Sequence, residues 1–224
     1  EVAVRRRAEA VQAALFQMAR AASLSDDLCA FLRVTHEQLS ELIDCANFYV
    51  ALYDPTTQLY SFPYCVDQHD AVSDIPPDAL RYSLTDYVRR TGEALWADEA
   101  VHRQLIARGE AKMVGTPSLI WLGAPLKTAQ GAIGVVTVQS YTNPFAYTEE
   151  DLSLLEFVGS QIAAVIERKT TEAALRESEA RYRALFDQAA DSIMLVDAAE
   201  PEPIIMDANI AACAAYGQIG RAHV

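Results

Sequence analysis

Residues 167–181, "ERKTTEAALRESEAR", hold eight charged side chains and a single large apolar one, Leu175, yet they lie between two strongly apolar stretches. The segment lacks proline and glycine, and Glu172/Arg176, Glu177/Arg181 and Glu179/Arg183 stand four apart in the favourable Glu-before-Arg order, so it is expected to be helical. A helix that is polar nearly all round has no face to bury, and in a folded chain it serves as a solvated bridge between two packed bodies. Upstream, Leu152, Leu155, Val158, Ile162, Val165 and Ile166 form an apolar stripe that reaches Glu167 without a helix breaker. The bridge therefore continues a helix of the first body, one that Thr148 caps, with Glu149, Glu150 and Asp151 in its first turn. Counted in sevens, Val158, Val165, Glu172 and Glu179 share one seam and Gln161, Arg168, Leu175 and Tyr182 the other, so the middle of the seam is polar. Such a seam pairs weakly and can switch; a single solvated spacer helix is the alternative.

The first body is patterned as two helices, a hairpin, a loop with short helices, a second hairpin and the final helix. Val4, Ala8, Val11, Leu15, Met18 and Ala22 make one stripe at helical spacing. Ser25, followed by Asp26 and Asp27, reads as the N-cap of a second helix running to about Ile43. The period then changes: "NFYVALYDPTTQLYSFPYCVD" is aromatic and β-branched around the turn Asp54-Pro55-Thr56-Thr57. An acidic, proline-containing loop from Asp67 to Asp78 is long enough to act as a lid or binding loop. "SLTDYVRRTG" and "DEAVHRQLIARG" read as short helices closed by Gly92 and Gly109, with the strand "EALWA" between them. "SLIWLGAPL" and "AIGVVTVQSY" are continuous apolar runs, as expected of strands covered by helices on both faces.

The net charge of −13 repels phosphate backbones and anionic headgroups, which excludes nucleic acid as a partner and argues against membrane contact. The longest uncharged stretch, Thr128 to Thr148, is interrupted by Gln130, Gln139, Asn143 and Pro144 and does not read as a membrane span. Cys29, Cys45, Cys65 and Cys213 are widely spaced, so reduced thiols and a cytoplasmic location are expected, with no metal site. The chain opens in helical register without an initiator methionine and reads as a piece of something longer.

Six segments, "NFYVALYD", "SFPYCVD", "TDYVRRTG", "GTPSLIWLGAPL", "GAIGVVTVQSY" and "AYTEEDLSLLEFVGSQIAAVIER", occur in the order found in the GAF domains of bacterial sensor proteins, and residues 8–168 resemble that family. After the bridge, "ESEARYRALFDQAADSIMLVDAAEPEPIIMDANIAACAAYG" resembles the opening third of a PAS domain. The resemblance implies an α+β fold: an antiparallel sheet with helices on both faces, a long C-terminal linker helix and a partial PAS-like segment. The implied divisions are the end of an upstream helix at 1–7, the GAF domain at 8–168, a signalling helix at 169–182, the PAS start at 183–217 and an atypical tail at 218–224. Two strands and a helix bury little, so the PAS-like piece is not expected to fold by itself. The function implied is a cytoplasmic sensory region of a multi-domain signalling protein, foremost a histidine kinase and next a diguanylate cyclase or phosphodiesterase, with catalytic domains further along the parent. A free-standing GAF-fold enzyme acting on a small oxidised metabolite is the competing reading. The first and last helices are implied to form a parallel homodimer through Val11, Leu15, Met18, Leu155, Val158, Ile162 and Val165.

Catalytic chemistry is not spelled out. No P-loop, G-x-G-x-x-G, G-x-S-x-G or H-E-x-x-H occurs. His36, in "THEQL", superficially resembles a kinase phosphorylation site but lacks the following proline and reads as a helix-surface residue; His69 and His102 read as surface histidines too. The Cys-His pair of bilin-binding relatives and the five-residue set of cyclic-nucleotide binders are missing, so no cofactor is identified. The pocket that the resemblance implies is expected to draw on Tyr49, Tyr53, Phe62, Tyr64, Cys65, Asp67, Tyr87, Trp96 and Trp121, whose rings suit a planar small molecule and whose neighbouring acids, Asp70, Asp74 and Asp78, suit a cation. Cys65 is a candidate redox sensor that these same acids make less reactive.

Overall fold

Polar residues at turn positions set where each element begins. In a computed structural model, which describes residues 2–25, 27–70, 78–197 and 204–216, the order is α1 (Val2–Leu24), α2 (Leu28–Ser40), β1 (Phe48–Asp54), β2 (Leu59–Val66), α3 (Leu84–Thr91), β3 (Leu95–Asp98), α4 (Glu99–Ala107), β4 (Ile120–Thr128), β5 (Gly131–Ser140), α5 (Glu149–Gln188), β6 (Met194–Asp197), β7 (Ile204–Ala208) and α6 (Ile210–Tyr216). Asp27, not Ser25, caps α2, accepting from the amides of Cys29 and Ala30. Thr148 and Asp151 cap α5 reciprocally: the Asp151 carboxylate accepts from the Thr148 amide and hydroxyl at 2.8 Å, and the Asp151 amide donates back to the hydroxyl at 3.4 Å.

The chain divides into two compact units, Glu1–Glu167 and Arg168–Val224. In the first, five antiparallel strands are ordered β2-β1-β5-β4-β3. Both central strands are buried along most of their length, because helices cover each face. On one face Phe48, Val50, Ile120, Leu122, Leu126, Val136 and Val138 pack with Phe31, Leu32 and Leu39 of α2, Met18 of α1, and Leu155, Val158 and Ile162 of α5. On the other, Trp121, Val135 and Ala97 meet Leu84 and Val88 of α3 and Leu105 of α4, beside a smaller cluster of Ala51, Tyr60 and Leu80.

This packing corrects the expected subunit interface. Met18, Leu155, Val158, Ile162 and Val165 are buried inside unit 1, so their area is already removed from water and none is left for a partner. The stripe that looks unsatisfied in sequence faces the sheet. Among the described side chains of unit 1, the large apolar ones left exposed on α1 and α5 are Phe16 (67% exposed) and Phe157 (44%), with Val11 and Leu15 of α1 half-buried.

In unit 2, α5 continues as a solvent-facing helix, exposed at every residue from Thr170 to Leu185. Glu177 and Arg181 pair at 2.7 Å, whereas Arg183 turns from Glu179 to Asp207 on β7 at 2.9 Å. β6 and β7 form an antiparallel hairpin. Its end is pinned by buried Asn209, whose side chain accepts from the amides of Ile193 and Ala212 and donates to the Asp191 carbonyl. Leu195, Val196, Ile205 and Met206 remain exposed, as two strands and a helix dictate. The expected tail at 218–224 lies outside the described residues.

Candidate functional site

A cavity of about 60 Å³ opens between the sheet and the short helices of unit 1. Its floor is Tyr49, Phe62, Cys65 and Trp121; its roof is Leu80, Ser83, Leu84 and Thr85 at the start of α3, His102 on α4 and the segment 112–118; Asp67, Asp70 and Gln139 complete the rim. Five of the nine residues expected from sequence are therefore brought together: Tyr49, Phe62, Cys65, Asp67 and Trp121.

A bulge in the β1–β2 ladder separates Tyr64 from them. Val50 pairs with Tyr64 and Leu52 with Ser61, so Phe62 and Pro63 together face only Ala51. Proline, which has no amide hydrogen to give the ladder, is tolerated at such a place. The extra residue shifts the alternation, so Phe62 and Cys65 both reach the cavity while Tyr64 turns to the helical face, against Phe48 and His36. Trp96 also lies on that face, with its indole N–H directed at the Tyr147 carbonyl, 3.4 Å away. Tyr53 stacks under the Arg89 guanidinium at 3.9 Å, and Tyr87 packs beside the Trp121 cluster; neither lines the cavity.

The floor is held by a short relay. Trp121 Nε1 donates to the Tyr49 hydroxyl at 3.2 Å, and Tyr49 bonds Thr85 Oγ1 at 2.9 Å, tying β4, β1 and α3 together. Burial raises the Tyr49 pKa, so the phenol stays protonated. The Trp121 indole occupies the space over Gly123 that any larger side chain would fill, which fixes the ring flat on the sheet.

The rim acids serve their own chain. Asp67 accepts from Gln139 Nε2 at 2.8 Å, from the Tyr141 hydroxyl and from the amides of His69 and Asp70. Asp70 accepts from the Thr116 amide and hydroxyl at 2.8 and 2.9 Å, clasping the two sides of the opening. Gly115 makes this possible: its φ is +71° and a Cβ there would lie 2.5 Å from the Asp70 carboxylate. Carboxylates so engaged offer a cation little, and no cluster of three or more metal-ligating side chains occurs among the described residues. Asp74 lies outside the described residues, and Asp78 is exposed.

Two of the histidines differ from expectation, whereas His69 is exposed as expected. His36 is half-buried rather than a free surface residue: it stacks on Phe48 at 4.9 Å, with Nδ1 3.0 Å from the Tyr64 hydroxyl and Nε2 2.9 Å from the Cys45 carbonyl. The carbonyl can only accept, so Nε2 carries the proton and Nδ1 accepts from Tyr64. His102 is half-buried on the cavity wall. Sequence reasoning also missed the Ser83–Thr85 helix start and the loop 112–118; the Gly115-Thr116-Pro117 turn after a glycine-closed helix is the signal that could have exposed the loop.

Burial, then Asp67 and Asp70, pushes the Cys65 thiol up to about 11. A thiol so held is almost wholly protonated at neutral pH and a poor nucleophile. Iodoacetamide at pH 7.5 is expected to label exposed Cys29 first and Cys65 at least tenfold more slowly in the folded chain, read by peptide mass spectrometry; equal rates would restore Cys65 as a reactive sensor.

With this geometry in place, comparison with known proteins identifies the class. The GAF domain family model matches residues 25–167 and a PAS domain model matches 180–223, the latter running past Gly217, where the resemblance legible in the sequence ends. The chain belongs to the GAF domain family, and a PAS-like segment follows the GAF domain. Among solved structures, it is similar to the GAF domain of a phosphoenolpyruvate-protein phosphotransferase from Coxiella burnetii, with 16% identity, a TM-score of 0.60, and 75% of this chain and 98% of that one covered. The GAF domain of a putative sensor histidine kinase from Pseudomonas syringae pv. tomato matches with 12% identity, a TM-score of 0.53 and coverage of 78% and 99%. The free methionine-R-sulfoxide reductase of Neisseria meningitidis matches with 15% identity, a TM-score of 0.57 and coverage of 72% and 91%. At these identities the likeness is one of fold. No curated protein matches the chain. No helix among the described residues is long and apolar enough to cross a membrane.

Proposed function

We propose that this chain is the cytoplasmic sensory region of a sensor histidine kinase, in which the GAF cavity takes a small molecule and α5 carries the response to the PAS-like unit and the output domain beyond. The observation that carries this reading is α5 itself. One helix of 40 residues is core in its first half, through Leu155, Val158 and Ile162, and then runs polar and solvent-facing into the segment matched by the PAS domain. A self-contained enzyme has no use for such an extension, and a protonated, shielded Cys65 suits thiol chemistry poorly. A diguanylate cyclase or phosphodiesterase is the next output class, since the same region would serve it equally.

The region works as a parallel homodimer whose contact is the outward face of α1 and α5, with Phe16 and Phe157 as anchors and Val11 and Leu15 at the margin. Helix phase is then the quantity transmitted, because each residue added to a helix rotates the chain downstream of it by about 100°. In the parent protein, inserting seven residues after Thr171 restores the phase to within about 20° and is expected to preserve regulated autophosphorylation. Inserting four leaves a rotation of about 40° and a displacement of about 6 Å, and is expected to lock the output at one level. Indifference of the output to both insertions would overturn the reading, as would catalytic turnover by the chain alone.

A further inference from the structure

Tyr82 holds a left-handed backbone, φ +67°, of the kind that glycine takes at Gly92 (+69°) and Gly109 (+71°). Among the described residues Gln58 shares this region with it, and Tyr82 is the bulky one, for which the conformation is the more strained. Two hydrogen bonds from separate segments hold it there. Its amide donates to Asp86 of α3 at 3.2 Å, and its carbonyl accepts from the Lys112 amide beyond α4. The fold thus keeps a strain that glycine would relieve, and the ring retained by doing so is 44% exposed. Burial in the core does not explain it.

The ring is surrounded by charge of the opposite sign to that of the chain. Lys112 Nζ lies 5.0 Å and the Arg81 guanidinium 6.0 Å from its centroid. Acids outnumber Lys and Arg by 31 to 18, yet among the described residues neither Arg81 nor Lys112 forms an ion pair with an acid. A cation beside an aromatic ring keeps its full charge, so both can still receive a carboxylate. Arg90 belongs to the same patch, since it donates at 2.8 Å to the Asp86 oxygen that Tyr82 uses, and Arg89 holds the other oxygen. One carboxylate therefore serves two guanidinium groups. Exposed Met113, next to Lys112, adds apolar surface. The flanking acids are Asp78 and Glu110, whose carbonyls accept from the Arg81 amide and from Arg90. With them and a net charge of −13, the surface suits a few carboxylates placed locally and repels an extended polyanion.

We propose that the surface around Tyr82 docks a short acidic segment of another protein, whose carboxylates meet Arg81 and Lys112 while an apolar side chain between them rests on Tyr82 and Met113. The strained backbone serves to present the ring. This docking surface does not depend on the sensory reading above.

The probes are two synthetic peptides, acetyl-GEELEEG-amide and its uncharged counterpart acetyl-GQQLQQG-amide, titrated into the ¹⁵N-labelled full chain at low salt. The glutamate peptide is expected to move the amide signals of Arg81, Tyr82, Lys112 and Met113, to saturate in the millimolar range, and to weaken as salt is added. The glutamine peptide should move none of them. Arg81→Gln and Lys112→Gln should each weaken binding about threefold. Tyr82→Gly separates docking from folding: glycine adopts φ +67° freely, so the variant should melt no lower than the parent chain while binding the glutamate peptide about fivefold more weakly. Failure of the glutamate peptide to move these signals, equal binding of the two peptides, or undiminished binding by Tyr82→Gly would overturn the proposal. So would a Tyr82→Gly chain that melts well below the parent, since the ring would then serve the fold. An oligothymidylate that binds the same residues more tightly than the peptide would assign the patch to nucleic acid, and shifts there that follow chain concentration alone would assign it to a second copy; either result overturns the proposal.

Discussion

Ile162→Asp is expected to abolish folding of unit 1 at every protein concentration. Ile162 has no exposed surface and sits among Leu155, Val158, Phe31 and Leu39, none of which offers a charge or a hydrogen-bond donor. A carboxylate forced there without a partner costs on the order of 3–5 kcal/mol beyond the lost burial of about 1.5–3 kcal/mol, comparable to the ~5–15 kcal/mol that holds an ordinary domain together. Circular dichroism and thermal melts read the outcome. The paired variant Phe16→Asp with Phe157→Asp changes only outward-facing side chains, so it should stay folded and, on the homodimer proposed above, sediment as a monomer. A folded Ile162→Asp chain that has merely lost its partner would return the buried stripe to the subunit interface.

Asp86→Ala is expected to destabilise unit 1 by about 3–5 kcal/mol, read as a fall in the urea midpoint at unchanged slope. Asp86, on α3 and only 3% exposed, is the hub of the cavity roof. One oxygen accepts from the Tyr60 hydroxyl at 2.7 Å and from Arg89 at 2.9 Å; the other accepts from Arg90 at 2.8 Å and from the Tyr82 amide at 3.2 Å. The last bond helps hold Tyr82 at φ +67°, a backbone region that a tyrosine adopts at some expense. Removing the carboxylate leaves Arg89 and Arg90 without their shared counter-charge, and the ties of α3 to β2 and to the Glu110 carbonyl loosen together. Burial works against the Asp86 charge, but hydrogen bonds from Tyr60, Arg89 and Arg90 outweigh it and hold the pKa below the ordinary carboxyl value. The stability it confers is therefore fully present above about pH 4, the unfolded carboxyl value, and lost as pH falls through the lower folded pKa. Asp86→Asn should flatten the loss of stability on acidification; an acid profile as steep as that of the parent chain would remove Asp86 from its cause.

Periodicity alone carried much of the architecture. The stripe on α5, the cap at Thr148, Gly92 closing α3 and the unbroken apolar runs of β4 and β5 are local signals, because each reflects a hydrogen bond or a burial decided within a few residues. The polar bridge was equally legible: a helix with no apolar face states its own solvation. The cavity was legible only in part, since alternation predicts a strand's faces only until a bulge intervenes. The residue added at Phe62-Pro63 sent Tyr64 to one face and Cys65 to the other, and nothing in composition marks which.

What lies opposite a side chain was left to the tertiary structure. An apolar stripe says that something must cover it, and a subunit or a sheet satisfies that demand equally; only the packing of α1 and α5 on the sheet decided for the core. An acid says that it needs a donor, and only the meeting of Asp70 with Thr116, and of Asp67 with Gln139, showed that the chain supplies it. His102 is the converse case. Its sequence neighbours make it an ordinary helix-surface histidine, and only the packing around α4 buries its Nε2 without a hydrogen-bond partner. Local sequence fixes dihedral angles and faces over a few residues, whereas partnership across the sheet depends on which distant segments close upon one another, and that was settled only when the chain folded.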